Sequence, residues 1–333
     1  RGHSVAVMAD LSKTRQDFRL AFTDPYFRDT RVSLGVDAFK STLEFDDFTS
    51  NRMGWGTNAS YPLRHLEAPL LRRWLPREGM KRAGELPPSL IDRMRWGMSY
   101  RLVKDDVSDI SDDASPEVRS EAGASLTSAL TPRLTYDSRD HNFLPTKGTR
   151  SRTSFKFAGL GGDNRFIRTD FKARWYHTLL NNPRWGGAYV LSVRGALGLS
   201  ATFARPNDSD SLPIGQRYFP GNPSVRGYKV RSLGPKDEFG EVIGGDKQLI
   251  TSLELRFPLA KKFGLNGVTF FDSGQAFRQS ESIDIGEMRR SAGVGVRWFS
   301  PFGPLAVDFG FALNSEPGDE TTIFNFNMGG GRF

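Results

Sequence analysis

Ile167-Arg168-Thr169-Asp170-Phe171-Lys172-Ala173-Arg174-Trp175 is the stretch on which the fold turns. Successive side chains of an extended chain point to opposite faces. Ile167, Thr169, Phe171, Ala173 and Trp175 therefore share one side, and Arg168, Asp170, Lys172 and Arg174 share the other. One such strand would suit the surface of a soluble sandwich equally well. The habit recurs, however. Leu253, Leu255 and Phe257 alternate with Ser252, Glu254 and Arg256, and Leu305, Val307, Phe309, Phe311 and Leu313 with Ala306, Asp308, Gly310 and Ala312. Phe155 and Phe157 oppose Ser154 and Lys156; Phe18, Leu20 and Phe22 oppose Asp17, Arg19 and Ala21. These runs are about 9–11 residues long, the length a tilted strand needs to cross a bilayer. The pattern predicts an all-β, antiparallel transmembrane β-barrel with its apolar face on lipid and its polar face on a lumen.

Composition is compatible with that reading without demanding it. No run approaches 18 consecutive apolar residues, so the 333-residue sequence holds no membrane-spanning helix. The mean hydropathy of −0.45 looks soluble, but a barrel with a polar lumen gives the same value. The absence of cysteine excludes disulfides, iron–sulfur clusters and cysteine-based zinc sites. An excess of 46 Lys+Arg over 38 Asp+Glu raises a nucleic-acid reading. The arginines alternate with apolar residues inside strands instead of forming a basic block with interleaved aromatics, so no nucleic acid is expected as a partner. No signal peptide is visible, and Arg1 falls inside an apparent strand, as expected if the N-terminus is cut.

Fourteen strands are expected, at 3–10, 15–23, 31–43, 51–61, 93–104, 122–138, 149–158, 165–179, 188–201, 248–257, 266–277, 288–298, 304–313 and 322–332. Compact connections rich in Pro, Gly, Asn and Asp (Asp24–Asp29, His141–Gly148, Asn181–Gly187, Pro258–Asn266, Phe299–Gly303) alternate with longer ones such as Asp105–Glu121 and Thr202–Lys247. The compact set would face the periplasm and the longer set the exterior. Residues 62–92 break this rule. There Leu66, Leu70, Leu71, Trp74 and Leu75 fall at helical spacing among Arg64, Arg72, Arg73 and Arg77, which suits a basic helix on a membrane surface or an ordinary surface helix ended by Pro76.

Val225-Arg226-Gly227-Tyr228 lies within the long segment 202–247. Connections of that length are usually functional or disordered. As a bare string the four residues could be turn chemistry, with Gly227 admitting φ > 0 and Arg226 solvated. Their surroundings point elsewhere. Tyr218-Phe219-Pro220-Gly221-Asn222 precedes them, and Lys229 and Ser232-Leu233-Gly234-Pro235 follow. Gly244-Gly245 and Glu254-Leu255 come next, then Phe270-x-Asp272-x-Gly274 on the second strand after the loop. Together these resemble the BamA-type outer-membrane protein assembly factors of the bacterial surface antigen family. Phe22-Thr23-Asp24-Pro25-Tyr26-Phe27, Pro145-Thr146-Lys147-Gly148 and Gly293-Val294-Gly295-Val296-Arg297-Trp298 with Ser300-Pro301-Phe302-Gly303-Pro304-Leu305 match the same pattern. Only residues 62–122 lie outside the resemblance.

The resemblance implies that the loop folds back into the lumen, where Arg226 meets Asp272 and Glu254. Strand parity puts Glu254 on the inward face with Ser252 and Arg256, opposite Leu253 and Phe257. Asp272 should follow, although alternation around Phe270 and Phe271 is less regular. A bidentate guanidinium would fix the tip in orientation as well as position, and lysine would replace it poorly. In a wet lumen, breaking the pair would cost roughly 1–3 kcal/mol. Aligned to the family, residues 1–333 are one barrel domain carrying about 14 strands of a 16-stranded parent, with two strands and the periplasmic POTRA repeats preceding it.

The last strand places Phe324, Phe326 and Met328 on one face and ends Gly329-Gly330-Gly331-Arg332-Phe333. A terminal aromatic marks barrels destined for the assembly machinery and speaks to location, not activity. Phe333 falls in the opposite parity, and the glycines permit a bulge that re-aims it and weakens pairing at a lateral seam. His3, His65, His141 and His177 are scattered without metal-ligand spacing, and Asp137 and Asp140 flank a turn. No enzyme and no cofactor are expected. The family implies unfolded outer-membrane proteins, accessory assembly lipoproteins and outer-membrane lipids as partners, and the bacterial outer membrane as location. A TamA-type or two-partner secretion barrel remains open beside this reading, as does a porin-like channel.

Overall fold

The computed structural model describes residues 2–12, 14–45, 48–65, 90–112, 114, 116–182, 187–203, 212–300, 303–317, 319 and 322–328. Its strands are β1 (Ser4–Leu11), β2 (Arg15–Asp24), β3 (Ser33–Glu44), β4 (Thr49–Pro62), β5 (Met94–Ser108), β6 (Gly123–Asp137) and β7 (Gly148–Gly162). They continue as β8 (Phe166–Asn182), β9 (Gly187–Thr202), β10 (Lys247–Ala260), β11 (Leu265–Phe277), β12 (Arg289–Ser300), β13 (Gly303–Ala312) and β14 (Thr322–Met328). All fourteen pair in sequence order in one antiparallel sheet, and β1 and β14 are its two edges.

Each expected strand is present, but several outrun the length a bilayer requires. β8 has 17 residues, and β5 reaches Ser108 because Asp105 and Asp106 continue the ladder opposite Ser125 and Ala124. The Asp105–Glu121 loop is shorter than expected for that reason. Polar residues above the membrane still need their backbone groups paired, and the neighbouring strand supplies the pairing. Of the 62–92 connection, short 3-10 turns at Leu63–His65 and Leu90–Arg93 are seen. Leu66, Leu70, Leu71, Trp74 and Leu75, the basis of the amphipathic helix, lie outside the described residues.

The two faces of the sheet can be followed by register, because directly opposed residues share a face. Asp137 opposes Arg150, Arg150 opposes Arg174, and Arg174 opposes Arg194. Arg194 opposes Ser252, which opposes Asp272, Ser291 and then Ala312. That face is polar. The other carries Phe171, Leu253 and Phe309, exposed by 43%, 47% and 44%. An apolar surface this continuous has no place in water. Against lipid it is the expected exterior, and between the two edges the strand ladders pair the backbone groups there.

The compact turns are held by local side chains. Asp24 accepts the Tyr26 N–H at 2.9 Å, and Asp140 accepts N–H bonds from Thr146 (2.8 Å) and Lys147 (3.2 Å). Burial pushes the Asp140 carboxyl up, but these bonds and the Thr146 hydroxyl outweigh it and hold the group below the usual carboxylate range.

Candidate functional site

The connection between β9 and β10 turns back over the polar face of the sheet. Tyr218 and Gly245 exchange backbone hydrogen bonds of 2.8 and 2.9 Å, which closes the base of the loop. Farther in, Asn222 donates to the Lys229 carbonyl (3.1 Å) and Val225 to that of Gly221 (2.9 Å), forming a tight tip. Val225, Arg226, Gly227 and Tyr228 occupy that tip, and all four are buried.

Arg226 is the centre of the contact. Its Nε and Nη2 donate to the two Asp272 oxygens at 2.7 and 2.9 Å, a bidentate fork, and its backbone N–H adds a third bond at 3.1 Å. Nη1 donates to Glu254 Oε2 at 2.8 Å, and Nη2 lies 3.4 Å from Ser252 Oγ. The guanidinium stacks 3.4 Å from the centroid of the Phe270 ring. The implied partners Asp272, Glu254 and Phe270 are thus all brought to one cation. Asp272 is 0% exposed and Arg226 6%, so the pair sits out of bulk water and the discount for a wet lumen was too generous. The cavity alongside, lined by Arg174, Glu254 and Arg297 among others, has about 10 Å³, room for about one water.

Two partners escaped sequence reasoning. Arg297 on β12 donates to Asp308 on β13 at 2.8 Å and to Glu254 at 3.4 Å, while Arg226 Nη1 lies 3.6 Å from Asp308. Two guanidinia therefore interleave with three carboxylates. The available signal was parity. Asp308 stands in the polar phase of its run, but the diagonal offset from Arg297 needed the register of β12 and β13.

Glycines make room for the tip. A Cβ on Gly310 would stand 2.5 Å from Gly227 N, and one on Gly274 2.7 Å from Val225 Cγ2. Gly227 has φ +95°, a left-handed conformation that side chains resist, and its own Cβ would meet Ser291 and the Gly310 backbone near 3 Å. Val225 and Tyr228 pack with Ala196, Leu233 and Ile250. The Tyr228 hydroxyl lies 2.9 Å from the Arg290 carbonyl and 3.0 Å from Asn314 Oδ1.

A second anchor lies at Tyr218. Its hydroxyl donates to Asp170 (3.1 Å) and accepts from Arg168 Nε (2.9 Å), whose guanidinium lies 4.0 Å from the ring centroid. Lys156 bonds Gln216 at 2.7 Å, and Arg194 bonds the Ser224 carbonyl at 2.5 Å. Nearer the exterior Phe219, Ile214 and Ile243 pack with Phe45, Phe48, Val107 and Val118. One connection thus touches residues from β5 to β13, and Asn222 reaches Asn325 of β14 at 3.5 Å. Only a sheet wrapped around it permits this. Tyr218→Phe should cost about 1 kcal/mol of barrel stability, read by urea unfolding, because Asp170 keeps Arg168 when the hydroxyl goes.

On β14 Phe324, Phe326 and Met328 point outward and are exposed, as parity required, and Phe324 packs on Phe309 at 5.1 Å between centroids. Gly329, Gly330, Gly331 and Phe333 lie outside the described residues.

The Omp85 superfamily domain matches residues 1–332. Over 336 aligned residues the sequence is 31% identical to the outer membrane protein assembly factor BamA of Nitratidesulfovibrio vulgaris, an alignment covering 99% of this chain and 38% of that protein. The sorting and assembly machinery component 50 homolog of Mus musculus is 31% identical over 186 residues, 54% of this chain and 35% of its own length. Among solved structures, that of BamA from Haemophilus ducreyi lacking POTRA domains 1–3 superposes with a TM-score of 0.75 at 20% identity, covering 98% of this chain and 64% of that one. At that identity the likeness speaks to the fold. The chain spans 38% and 35% of the length of the two curated relatives. With a family match running through all but its last residue, the chain belongs to the Omp85 superfamily.

Proposed function

We propose that this barrel is the membrane-embedded part of an outer-membrane protein assembly factor, which receives unfolded outer-membrane proteins from the periplasm and helps them fold into the bilayer. The observation that carries the reading is the docked loop, whose Val225–Tyr228 tip is bonded to β10 and β11 and packed on β12 and β13. The names of the relatives support it. A strand edge left unpaired in lipid is costly, so a client strand gains by pairing with one already there. A seam between the first and last strands of the whole barrel can template a client while the loop braces the wall beside it. Nothing in this mechanism consumes a nucleotide. Accessory lipoproteins and outer-membrane lipids complete the proposed set of partners. A passive channel fits less well, because the loop fills the pore that such a channel needs open.

Depletion of the full-length protein in its own host tests the reading. Outer-membrane β-barrel proteins should fall together, with unfolded forms accumulating in the periplasm. A cysteine at Asn327 on β14 should crosslink to the strands of a stalled client. Unchanged levels of those proteins on depletion would contradict the proposal.

A further inference from the structure

The inward wall of β5–β8 near the compact turns carries cations that no described residue of the loop contacts. Arg95 opposes Thr135, Thr135 opposes Arg152 and Arg152 opposes Lys172, so these four stand side by side in one row. Arg133 lies one step toward the exterior, opposite Gly97, and Arg150 one step toward the turns. The carboxylates of this wall are already engaged. Asp105 is held by Arg52, Asp137 by Arg139 and Arg150, and Asp170 by Arg168. Among the described residues no carboxylate pairs with Arg133, Arg152 or Lys172. Arg95 donates to the Ser60 hydroxyl at 3.2 Å.

Arg95, Arg133, Arg150 and Arg152 border a recess of about 560 Å³ at the compact-turn end of the lumen, with Asp92 and Asp137 also in its lining, and a second of about 420 Å³ shares Pro62, Arg64 and Arg95 with it. The exterior side is covered by the docked loop, so access is from the periplasmic side. Strands stand about 4.8 Å apart, and the guanidinia are therefore dispersed along the wall instead of converging on one point. A single tetrahedral anion needs convergent donors. A lipid headgroup could not pass between β5–β8, which are paired on both sides. An extended chain bearing a series of carboxylates can meet such dispersed cations one after another, and it can take that route.

We infer that this wall is a binding site for an acidic, extended polypeptide segment entering the lumen from the periplasm. Arginines that pair with no carboxylate among the described residues would hold it by charge and by forked hydrogen bonds, with an affinity that falls as salt rises.

The test uses the purified full-length protein in lipid nanodiscs and a labelled peptide of alternating aspartate and serine, with an asparagine–serine peptide as control. Anisotropy should show saturable binding of the acidic peptide alone, roughly tenfold weaker in the Arg133→Gln/Arg152→Gln variant. A photo-crosslinking residue at Thr135, with every arginine kept, should capture the peptide, and one at Leu134 on the outer face should not. This second arm decides the matter if the double variant loses heat-modifiable migration. Equal binding of both peptides, capture at Leu134 alone, or full affinity in a folded double variant would overturn the inference. So would displacement of the peptide by inorganic phosphate, or by phosphatidylglycerol in the disc, at concentrations matching the peptide. No assembly activity is needed, so failure here and failure of the assembly reading are separate results.

Discussion

Arg226→Ala is expected to destabilise the folded barrel by about 3–5 kcal/mol, the cost of removing one partner from a buried charge pair. Asp272, fully buried, would lose both fork bonds and the cation that balances it. Glu254 and Asp308 would be left to share Arg297. The tip would also lose its stacking on Phe270. Arg226→Lys should recover only part of this, since one ammonium cannot fork onto Asp272 while reaching Glu254. In the full-length protein the readouts are the temperature at which heat-modifiable migration is lost and the level of outer-membrane proteins in cells. Wild-type values of both in the alanine variant would count against a docked loop.

Gly310→Val should be more damaging still, although valine is the better strand former. Its Cβ would stand 2.5 Å from Gly227 N and 2.8 Å from the Arg226 carbonyl carbon. The obstacle is backbone on both sides, so no rotamer relieves it. Either β13 shifts or the tip lifts, and lifting the tip carries Arg226 off Asp272. The expected cost is overpacking of about 1–3 kcal/mol in addition to the broken pair. A lifted tip exposes Arg226 and Arg231 to trypsin, so limited proteolysis should cut the variant there and leave the parent intact. An uncut loop with wild-type stability would show that β13 and the tip are not in backbone contact.

Strand number and order were legible because side-chain period is a property of neighbouring residues. The alternation of Ile167–Trp175 needs no distant partner to be read. Strand ends were less legible, since Asp105–Ser108 is polar and its ladder depends on what lies opposite. Within the site, Arg226, Asp272 and Glu254 could be brought together because strand parity and a family resemblance agreed. Arg297 and Asp308 could not, because their contact is diagonal across two strands and fixed by register. The Tyr218 anchor on Arg168 and Asp170 joins residues about fifty positions apart, and a motif quoted only as flanking sequence held no sign of it. Gly310 stood in the sequence only as a member of the inward phase of its strand, and its reason is the backbone resting on it.

The central claim is that the Arg226 guanidinium is bonded to Asp272 on the inner wall. A double-mutant cycle on Arg226→Ala and Asp272→Ala, read by equilibrium urea unfolding of the barrel in lipid vesicles, tests it most directly. The account predicts a coupling of about 1.5–3 kcal/mol, with the double variant less damaged than the two single losses added together. Losses that add to within about 0.5 kcal/mol would mean that the two side chains do not meet, and the docked loop would have to be abandoned.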